Sequence, residues 1–372
     1  MVTTAANQSF RITTKSSIRF SVDRIIKQYG RRSYRMGITI ALDAMGGDHG
    51  LSITIPAAAQ ALRNHADLSL VLVGDEHRIN TQLKLLPDAV IERCTVHHAP
   101  QQVEMDDKPS FALRSKRESS MRYAVNLVKD GTAQAAVSAG NTGALMAIAR
   151  FVLKTLPGID RPAICGVMPG IAGGTHMLDL GANVDSSSEE LFRFAVMGSV
   201  LATSVAQKPN PTVALLNIGE EEIKGNDRVK QTASLLENSD LNYYGFVEGD
   251  DIFKSTVDVV VCDGFVGNVA LKASEGVARM LTQFARDEFG RNIFTKLSAL
   301  AVKPALTAMR NRADPDRYNG ASLLGLKGIV VKSHGSADAD SFSNAISVAV
   351  AEVENKVPER IGEQIEKLLA GT

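Results

Sequence analysis

Several residue types and patterns that mark common protein classes are scarce or absent in this sequence. It contains no tryptophan and only three cysteines, which lie far apart at Cys94, Cys165 and Cys262. Because no Cys-x-x-Cys pair or Cys/His cluster occurs, a zinc site and a disulfide framework are excluded. No apolar run reaches the roughly 18 residues that a membrane-spanning helix needs, so the sequence predicts no span.

An excess of charge of one sign is also missing, because 41 basic residues balance 41 acidic ones. The chain as a whole therefore does not look like a nucleic-acid-binding protein. The balance is uneven along the chain. Residues 1–36 contain eight basic residues against the single Asp23, whereas residues 37–372 contain 33 basic and 40 acidic residues.

The basic segment 1–36 contains nine Ser and Thr residues and lacks the apolar core of a secretory signal. Its composition is compatible with an organellar transit peptide. We favour a disordered extension or a start codon assigned too early, because Met36 lies just before the first predicted strand. We therefore expect one domain over residues 37–372, in the cytoplasm.

From residue 37 onwards, short β-branched and apolar runs alternate with segments of helical periodicity, which is the pattern of βαβ units. Several predicted strands are apolar throughout, as expected where helices cover both faces of a parallel sheet. We predict a Rossmann-like α/β fold. The predicted strands are 38–43, 68–74, 90–97, 133–138, 163–167, 177–181, 213–219, 241–247, 257–263 and 329–334.

Polar segments that contain glycine occur at the carboxyl ends of six predicted strands. In an open α/β sheet, ligands bind beyond these ends, where helix N-termini offer N–H groups to anions. Any one segment is also compatible with a plain turn. Taken together, they lead us to expect one ligand-binding crevice. The segments are 43–50, 138–143, 179–185, 217–220, 263–268 and 333–335.

The glycine loops do not carry the familiar nucleotide-binding motifs. Segment 46–50 is not followed by the Lys-Ser/Thr of a P-loop, and no Gly-x-Gly-x-x-Gly follows a strand. A Gly-x-Ser-x-Gly elbow is absent, and no cysteine lies beside a plausible His base. Backbone N–H groups, amides, carboxylates and cations remain, and these suit the positioning of a small anion against an electrophile. We expect neither a cofactor nor a metal.

A series of short motifs occurs in order along the chain: 43–48 (DAMGGD), 119–122 (SSMR), 138–144 (SAGNTGA), 161–163 (RPA), 179–185 (DLGANVD), 217–225 (NIGEEEIKG), 263–268 (DGFVGN), 318–321 (YNGA) and 332–335 (KSHG). Together they resemble the bacterial phosphate acyltransferase family PlsX, over about residues 37–360. The sequence departs from the family pattern at Leu51, where we expect Pro, and residues 1–36 have no counterpart in the family.

The resemblance implies an enzyme that transfers a long-chain acyl group from acyl carrier protein to inorganic phosphate. The product, acyl phosphate, would then serve a membrane glycerol-3-phosphate acyltransferase in phospholipid (phosphatidic acid) synthesis. It also implies a homodimer with a layered sheet similar to those of phosphotransacetylases and isocitrate dehydrogenase. Two alternatives stay open, a short-chain phosphotransacetylase that acts on acyl-CoA and a non-catalytic membrane scaffold of lipid enzymes.

The predicted anion cradle consists of Asn141, Thr142 and Gly143. These residues open a helix directly after a strand, which directs N–H groups and the positive end of the helix dipole at the crevice. A plain helix cap is the alternative. The other predicted substrate-binding residues are Asp43, Gly46, Gly47, Asn183 and His334.

Three further residues are predicted to act on the thioester. Lys224 is the predicted cation for phosphate or the oxyanion, with a solvated surface lysine as the alternative. Asp263 is predicted to act as a general base or to orient Lys224, unless it is only a buried carboxylate bonded to amides. Asn268 is predicted to direct its amide at the same carbonyl or to cap its helix.

A basic cluster surrounds residues 119–121. Acyl carrier protein is acidic, and so is the body of this chain, so docking needs a local basic surface. The cluster is a candidate for that surface, and it is equally compatible with phosphate binding or with a solvated helix face. It consists of Arg114, Lys116, Arg117 and Arg122.

Residues 277–317 are the other exception to the acidic body, with eight basic and four acidic side chains. Apolar residues recur there at helical spacing, and Pro304 is expected to begin a second helix. We predict a protruding helical hairpin whose apolar residues Leu297 and Leu300 contact an anionic membrane peripherally. Packing of the same stripe in a dimer interface is the alternative.

Overall fold

The computed structural model describes residues 37–313 and 318–370. The predicted basic extension, residues 1–36, lies outside the described residues, and so do residues 314–317 of the predicted hairpin. Within the described ranges, one mixed sheet carries the strands β1 (Ile38–Asp43), β2 (Leu68–Gly74), β3 (Cys94–His98), β4 (Ala135–Ser138), β5 (Ala163–Gly170), β6 (Gly173–Leu178), β7 (Val213–Leu216), β8 (Tyr243–Val247), β9 (Val259–Val261), β10 (Ala321–Leu324) and β11 (Ile329–Lys332).

Helices flank this sheet on both faces. They are α1 (Leu51–Asn64), α2 (Glu76–Leu83), α3 (Asp88–Ile91), α4 (Pro109–Ser115), α5 (Ser120–Lys129), α6 (Thr142–Leu153), α7 (Ser188–Ser204), α8 (Asp227–Glu237), α9 (Asp251–Lys254), α10 (Gly264–Gly290), α11 (Ile293–Ala313), α12 (Ala339–Glu354) and α13 (Val357–Ala370).

The sheet contains two blocks of parallel strands that run in opposite directions. Its strand order is β3-β2-β1-β4-β11-β10-β5-β6-β9-β7-β8. The first block comprises β3, β2, β1, β4 and β11, and the second comprises β6, β9, β7 and β8. Between them, β10 is antiparallel to both β11 and β5, and β5 is antiparallel to β6. The carboxyl ends of the two blocks therefore point in opposite directions along the sheet, an arrangement that the sequence does not predict.

The reversal comes from two antiparallel hairpins that the sequence does not predict. β5 and β6 are joined by a short turn that reaches Gly173, whose φ of +139° suits glycine. β10 and β11 form the second hairpin, and the predicted elements include no strand at 321–324. The predicted strand 90–97 is also wrong in its first part, because Pro87 caps the short helix α3 and β3 starts only at Cys94.

Alternating residues of the strands fill the core on both faces of the sheet. Ile40 and Leu42 of β1 pack in one cluster with Phe342 of α12, whereas the intervening Ala41 packs in another with Met121 of α5. This alternation follows from the two-residue period of a strand. The core thus holds the strand ends, and the polar loops after them, on a rigid support.

α10 and α11 follow each other at the predicted hairpin, but their bounds differ from the prediction. α10 begins at Gly264, well before residue 277. Pro304 lies inside α11 and does not begin a helix, which corrects that expectation. Leu297 and Leu300 are exposed on α11, at 56% and 66%. Over the described residues, no helix combines the length and apolarity needed to cross a bilayer.

Candidate active site

A first group of polar residues lies at the carboxyl ends of β1, β4 and β11. The Ser138 hydroxyl donates to Asp43 Oδ2 at 2.6 Å and accepts the Gly140 N–H at 3.0 Å. From the other side, Lys332 Nζ donates to the carbonyl oxygens of Ala139, at 3.2 Å, and Ser333. A buried carboxylate and a buried ammonium thus fix the same turn from two directions.

Burial changes the acidity of both charged groups in this cluster. It raises the pKa of Asp43, although hydrogen bonds from Ser120 and Ser138 oppose the rise. It lowers the pKa of Lys332 to about 8, although the nearby charges of Asp43 and Asp48 oppose the fall. For both groups, desolvation outweighs the opposing interactions. Burial therefore shifts the carboxyl group of Asp43 and the amine of Lys332 towards their uncharged forms.

The predicted residues Gly46 and Gly47 fill the narrow space beside this cluster. A Cβ atom at Gly46 would lie 2.6 Å from Asp43 Oδ2, and one at Gly47 would lie 2.9 Å from Ala139 Cβ. The next residue, Asp48, donates its N–H to Gly335 O at 2.9 Å. The structure therefore brings the first glycine loop, residues 46–50, against the loops after β4 and β11. Glycine permits this close approach of backbone to backbone.

The predicted cradle residues Asn141, Thr142 and Gly143 form the start of α6. Asn141 Oδ1 accepts the Ala144 N–H, and its amide donates to the carbonyl oxygens of Met105 and Asp107. Asn141 is thus a helix cap that also anchors a neighbouring loop. Thr142 and Gly143 are exposed, so the first turn of α6 is open to a ligand.

The predicted residue His334 follows β11 in the same region. Its backbone N–H donates to Asn319 Oδ1 at 2.8 Å, and its Nδ1 lies 2.8 Å from the Ser336 hydroxyl. The Asn319 amide in turn donates to the Ser333 hydroxyl at 2.8 Å. These bonds fix the loop after β11, in which the next residue, Gly335, accepts the Asp48 N–H.

A second group lies at the ends of β6 and β9. Asp179 is fully buried, and its carboxylate accepts backbone N–H groups from Ile164, Gly181, Ala182 and Asn183. Burial raises the pKa of Asp179 despite these hydrogen bonds. The predicted residue Asn183 adds its side-chain amide to Asp179 Oδ2 at 2.9 Å. In this structure, Asn183 thus supports the loop after β6.

Asp263 caps α10, because its Oδ1 accepts the Val266 N–H at 2.9 Å. Its Oδ2 lies 3.7 Å from a nitrogen of Arg228, which also pairs with Asp185. Lys224 instead lies beside Glu221, at 3.9 Å between Nζ and Oε1. The cation beside Asp263 is therefore Arg228, where the sequence prediction has Lys224.

Asn268 is exposed on α10 and lies beside the loop after β6. A Cβ atom at Gly181 would lie 3.4 Å from Asn268 Cβ and 3.5 Å from its Oδ1. The contact between α10 and this loop is close at Gly267 too, where a Cβ atom would lie 1.9 Å from Asp179 O. Glycine at 181 and 267 thus lets α10 place Asn268 at the edge of the second group.

The predicted basic cluster lies on α4, α5 and the loop between them. Arg117 Nε donates to Arg114 O at 3.0 Å, and Lys116 directly follows α4. The guanidinium of Arg122 lies 5.0 Å from the ring centroid of the exposed Phe151, and Lys154 Nζ lies 4.8 Å from it. The cluster is thus a cationic surface with an aromatic ring in it.

Sequence reasoning missed the roles of Ser138, Lys332 and Arg228. Ser138 and Lys332 belong to recognised motifs, and a lysine in an otherwise apolar strand is a signal that it needs partners in the interior. Arg228 gives no such signal, because its contact with Asp263 joins the first turn of α8 to the start of α10, and these are distant in sequence.

Other features of the described residues do not coincide with the predicted site. No group of three or more His, Cys, Asp or Glu side chains there is arranged to hold a metal ion. A cavity of about 420 Å³ lies between α7 and α13, where Ser204, Asn210 and Arg360 line it, and none of the predicted site residues does.

Comparisons with known proteins first define the class of fold. A phosphotransacetylase from Streptococcus pyogenes superposes with a TM-score of 0.59 at 18% identity, and the alignment covers 91% of this chain and 99% of that chain. The fold is therefore phosphotransacetylase-like, which confirms the predicted fold class.

Sequence comparisons then give the family. The model of the family described as "Fatty acid synthesis protein" matches residues 38–360. The relative named "Phosphate acyltransferase" in Methylococcus capsulatus is 59% identical over 332 residues, which cover 89% of this chain and 98% of the relative. The relative of the same name in Chromobacterium violaceum is 58% identical over 334 residues, which cover 90% and 97%. This chain belongs to the fatty acid synthesis protein family, which places it among the acyltransferases.

Proposed function

We propose that this protein transfers a long-chain acyl group from acyl carrier protein to inorganic phosphate. The observation that carries the proposal is the 58–59% identity to relatives named phosphate acyltransferase over almost their whole length. The motif resemblance supplies the finer part, in which the acyl phosphate product enters phospholipid synthesis through a membrane glycerol-3-phosphate acyltransferase.

The reaction needs no covalent enzyme intermediate. A phosphate oxygen attacks the thioester carbonyl carbon, and the carbonyl oxygen becomes an oxyanion in the tetrahedral intermediate. The oxyanion then re-forms the carbonyl bond and the carbon–sulfur bond breaks. The carrier protein departs with its thiolate, which takes up a proton, and the acyl group stays on the phosphate oxygen. The protein has to bind phosphate, stabilise the oxyanion and place the two reactants in contact.

Phosphate binding is proposed at the start of α6. Thr142 and Gly143 are exposed there, and the N-terminal N–H groups and the helix dipole favour an anion. A Cβ atom at Gly143 would lie 2.8 Å from Pro109 Cγ, so glycine lets α4 pack closely against the start of α6. Asp43, Gly46, Gly47 and His334 support the same edge.

Stabilisation of the oxyanion is proposed for Asn268 and Lys224, both of which have exposed polar atoms near the ends of the second block. Asp263 already accepts the Val266 N–H and faces Arg228, which favours an orienting role over that of a general base. One oxyanion donor typically lowers the activation barrier by roughly 2.7–4 kcal/mol.

The same proposal includes surfaces that bind the carrier protein and the membrane. The cationic surface on α4 and α5 is the proposed docking site for the acidic carrier protein, and the exposed apolar residues of α11 are the proposed membrane contact. We further propose a homodimer that works in the cytoplasm and touches the membrane peripherally. No cofactor takes part in this scheme.

A thiol-release assay tests the function. We expect the purified protein to release free thiol from palmitoyl-acyl carrier protein when phosphate is present, and not when sulfate replaces it. Release from acetyl-CoA alone would identify a short-chain phosphotransacetylase instead. Absence of release from either thioester, with a folded protein, would favour the scaffold.

Two variants test the proposed residues within the same assay. Asn268→Ala is expected to lower kcat about 100- to 1,000-fold, because an oxyanion donor acts mainly in the transition state. Lys230→Ala, on α8 outside the proposed site, is the matched control for Lys224→Ala. If Asn268→Ala and Lys224→Ala both fold and keep full phosphate-dependent turnover, these assignments are wrong although the family is unaffected.

A further inference from the structure

Phe151 lies in the last turn of α6, and its side chain is 53% exposed. The guanidinium carbon of Arg122 lies 5.0 Å from the centroid of its ring, and Lys154 Nζ lies 4.8 Å from the same point. Both distances are within the range of cation–π attraction. Along the axis of α6, the rise of an α-helix places Phe151 about 14 Å from Thr142. An exposed ring with two cations beside it thus lies on the helix that begins at the proposed phosphate site.

Lys154 has an unusual backbone conformation for a lysine. It caps the C-terminus of α6 with a φ of +65° and a ψ of 169°, a combination that almost only glycine adopts. Its N–H donates to Arg150 O at 3.2 Å, and its carbonyl oxygen accepts the Lys327 N–H at 3.0 Å. Because these bonds use backbone atoms alone, glycine would make them equally well. A strained lysine at a position that suits glycine indicates that its side chain has a function.

The two cations beside Phe151 lack acidic partners. Within residues 37–313 and 318–370, neither Arg122 nor Lys154 forms an ion pair with a carboxylate. A third cation is close, because the charge of Arg117 adds to partial burial in lowering the pKa of Arg122. Cations this close repel one another, and the negative charge of a ligand would relieve that repulsion.

This combination of groups suits an acidic protein as the ligand. An aromatic side chain and an arginine are the residues that most often dominate the binding energy of a protein interface. Complementary charge around them favours the correct partner and speeds its association. The exposed Arg114 and Arg117 continue the positive surface towards α4. Among the reactants of the proposed reaction, the acidic carrier protein has the matching charge.

We propose that Phe151 and Lys154, together with Arg122, form the centre of the docking surface for acyl carrier protein. The surface thereby extends from α4 and α5 to the end of α6. This inference rests on the proposed function, because it assigns residues to the acyl donor of that reaction. It also gives the strained conformation of Lys154 a role, since the turn holds the ammonium group beside the ring.

Replacement of the strained lysine by glycine tests the proposal. Lys154→Gly is expected to raise KM for palmitoyl-acyl carrier protein about three- to fivefold, the range for one exposed charge contact, with KM for phosphate unchanged. Its melting temperature is expected to equal or exceed that of the wild type, because glycine adopts this conformation without strain. Lys154→Arg keeps the charge and should keep the wild-type KM. Phe151→Ala should raise the same KM about tenfold.

Lys356→Gly is the matched control, because Lys356 is also an exposed lysine with positive φ, at 50°, and lies just before α13. An equal rise in KM for the carrier substrate in Lys356→Gly would trace the effect to net charge and overturn the inference. An unchanged KM or a lower melting temperature in Lys154→Gly would overturn it too. So would a rise in KM for phosphate. If the wild type releases no thiol from palmitoyl-acyl carrier protein, the proposed function fails, and this inference fails with it.

Discussion

Glu352 is a buried acid at the junction between the two parallel blocks. It lies on α12 with 2% exposure, and its carboxyl group accepts the hydroxyl of Ser322 on β10. Burial raises the pKa of Glu352 from 4.5 to about 7. The folded state therefore keeps a proton that the unfolded chain loses, so stability decreases as pH rises from about 4.5 through about 7.

Glu352→Gln is expected to remove most of this pH dependence. The wild type should lose about 3 kcal/mol of unfolding free energy over that interval from this residue, since each unit of pKa difference corresponds to about 1.4 kcal/mol. Urea unfolding at pH 5 and pH 8 measures the difference. Glu354→Gln, exposed on the same helix, is the control, and identical pH dependence in Glu352→Gln and the wild type would contradict the assignment.

At the scale of elements, α10 and α11 expose an unusual amount of apolar surface for a single chain. Phe284 of α10 is 57% exposed, and Phe294 of α11 is 78% exposed. Patches of this kind mark contact with another molecule or a membrane. The cations Lys296 and Lys303 lie on the same helix as Phe294, which favours an anionic bilayer for α11.

The double variant Leu297→Glu with Leu300→Glu tests the membrane contact of α11. We expect it to abolish flotation with vesicles that contain phosphatidylglycerol, because two carboxylates would have to enter the lipid interface. Leu85→Glu with Ile171→Glu adds the same charge at exposed positions elsewhere and should float like the wild type. Unchanged flotation of a dimeric Leu297/Leu300 variant would refute the membrane contact, and loss of the dimer would point to subunit packing.

The cationic surface on α4 and α5 leads to a separate expectation for the acyl donor. Arg114→Glu with Arg117→Glu should raise KM for palmitoyl-acyl carrier protein about tenfold, because two attractive charges become repulsive. KM for phosphate should stay unchanged. Lys356→Glu with Lys367→Glu makes the same change of charge just before and within α13, as a control. A rise in KM for phosphate instead would assign the arginines to the anion site.

At the scale of the whole molecule, local patterns predict the elements better than their arrangement. The sequence predicts the polar segments after β1, β4 and β9, because glycine and polar residues follow apolar runs there. The reversal of strand direction between the two blocks cannot be predicted from local patterns. It depends on pairing between Ser322 and Cys165, which are far apart in sequence. Nor does a sequence pattern say that Asp263 meets Arg228. Contacts of this kind depend on the packing of the whole chain.

The strand order also has a consequence for the synthesis of the protein. β4 is synthesised early, but its neighbour in the sheet, β11, comprises residues 329–332. The second block therefore emerges from the ribosome before the first block can be completed. Until then β4 has an unpaired edge, which invites association with other chains. A chain that stops before residue 329 keeps that open edge and lacks Lys332 and His334. Translation has to reach the last tenth or so of the sequence before either the sheet or its polar edge is complete.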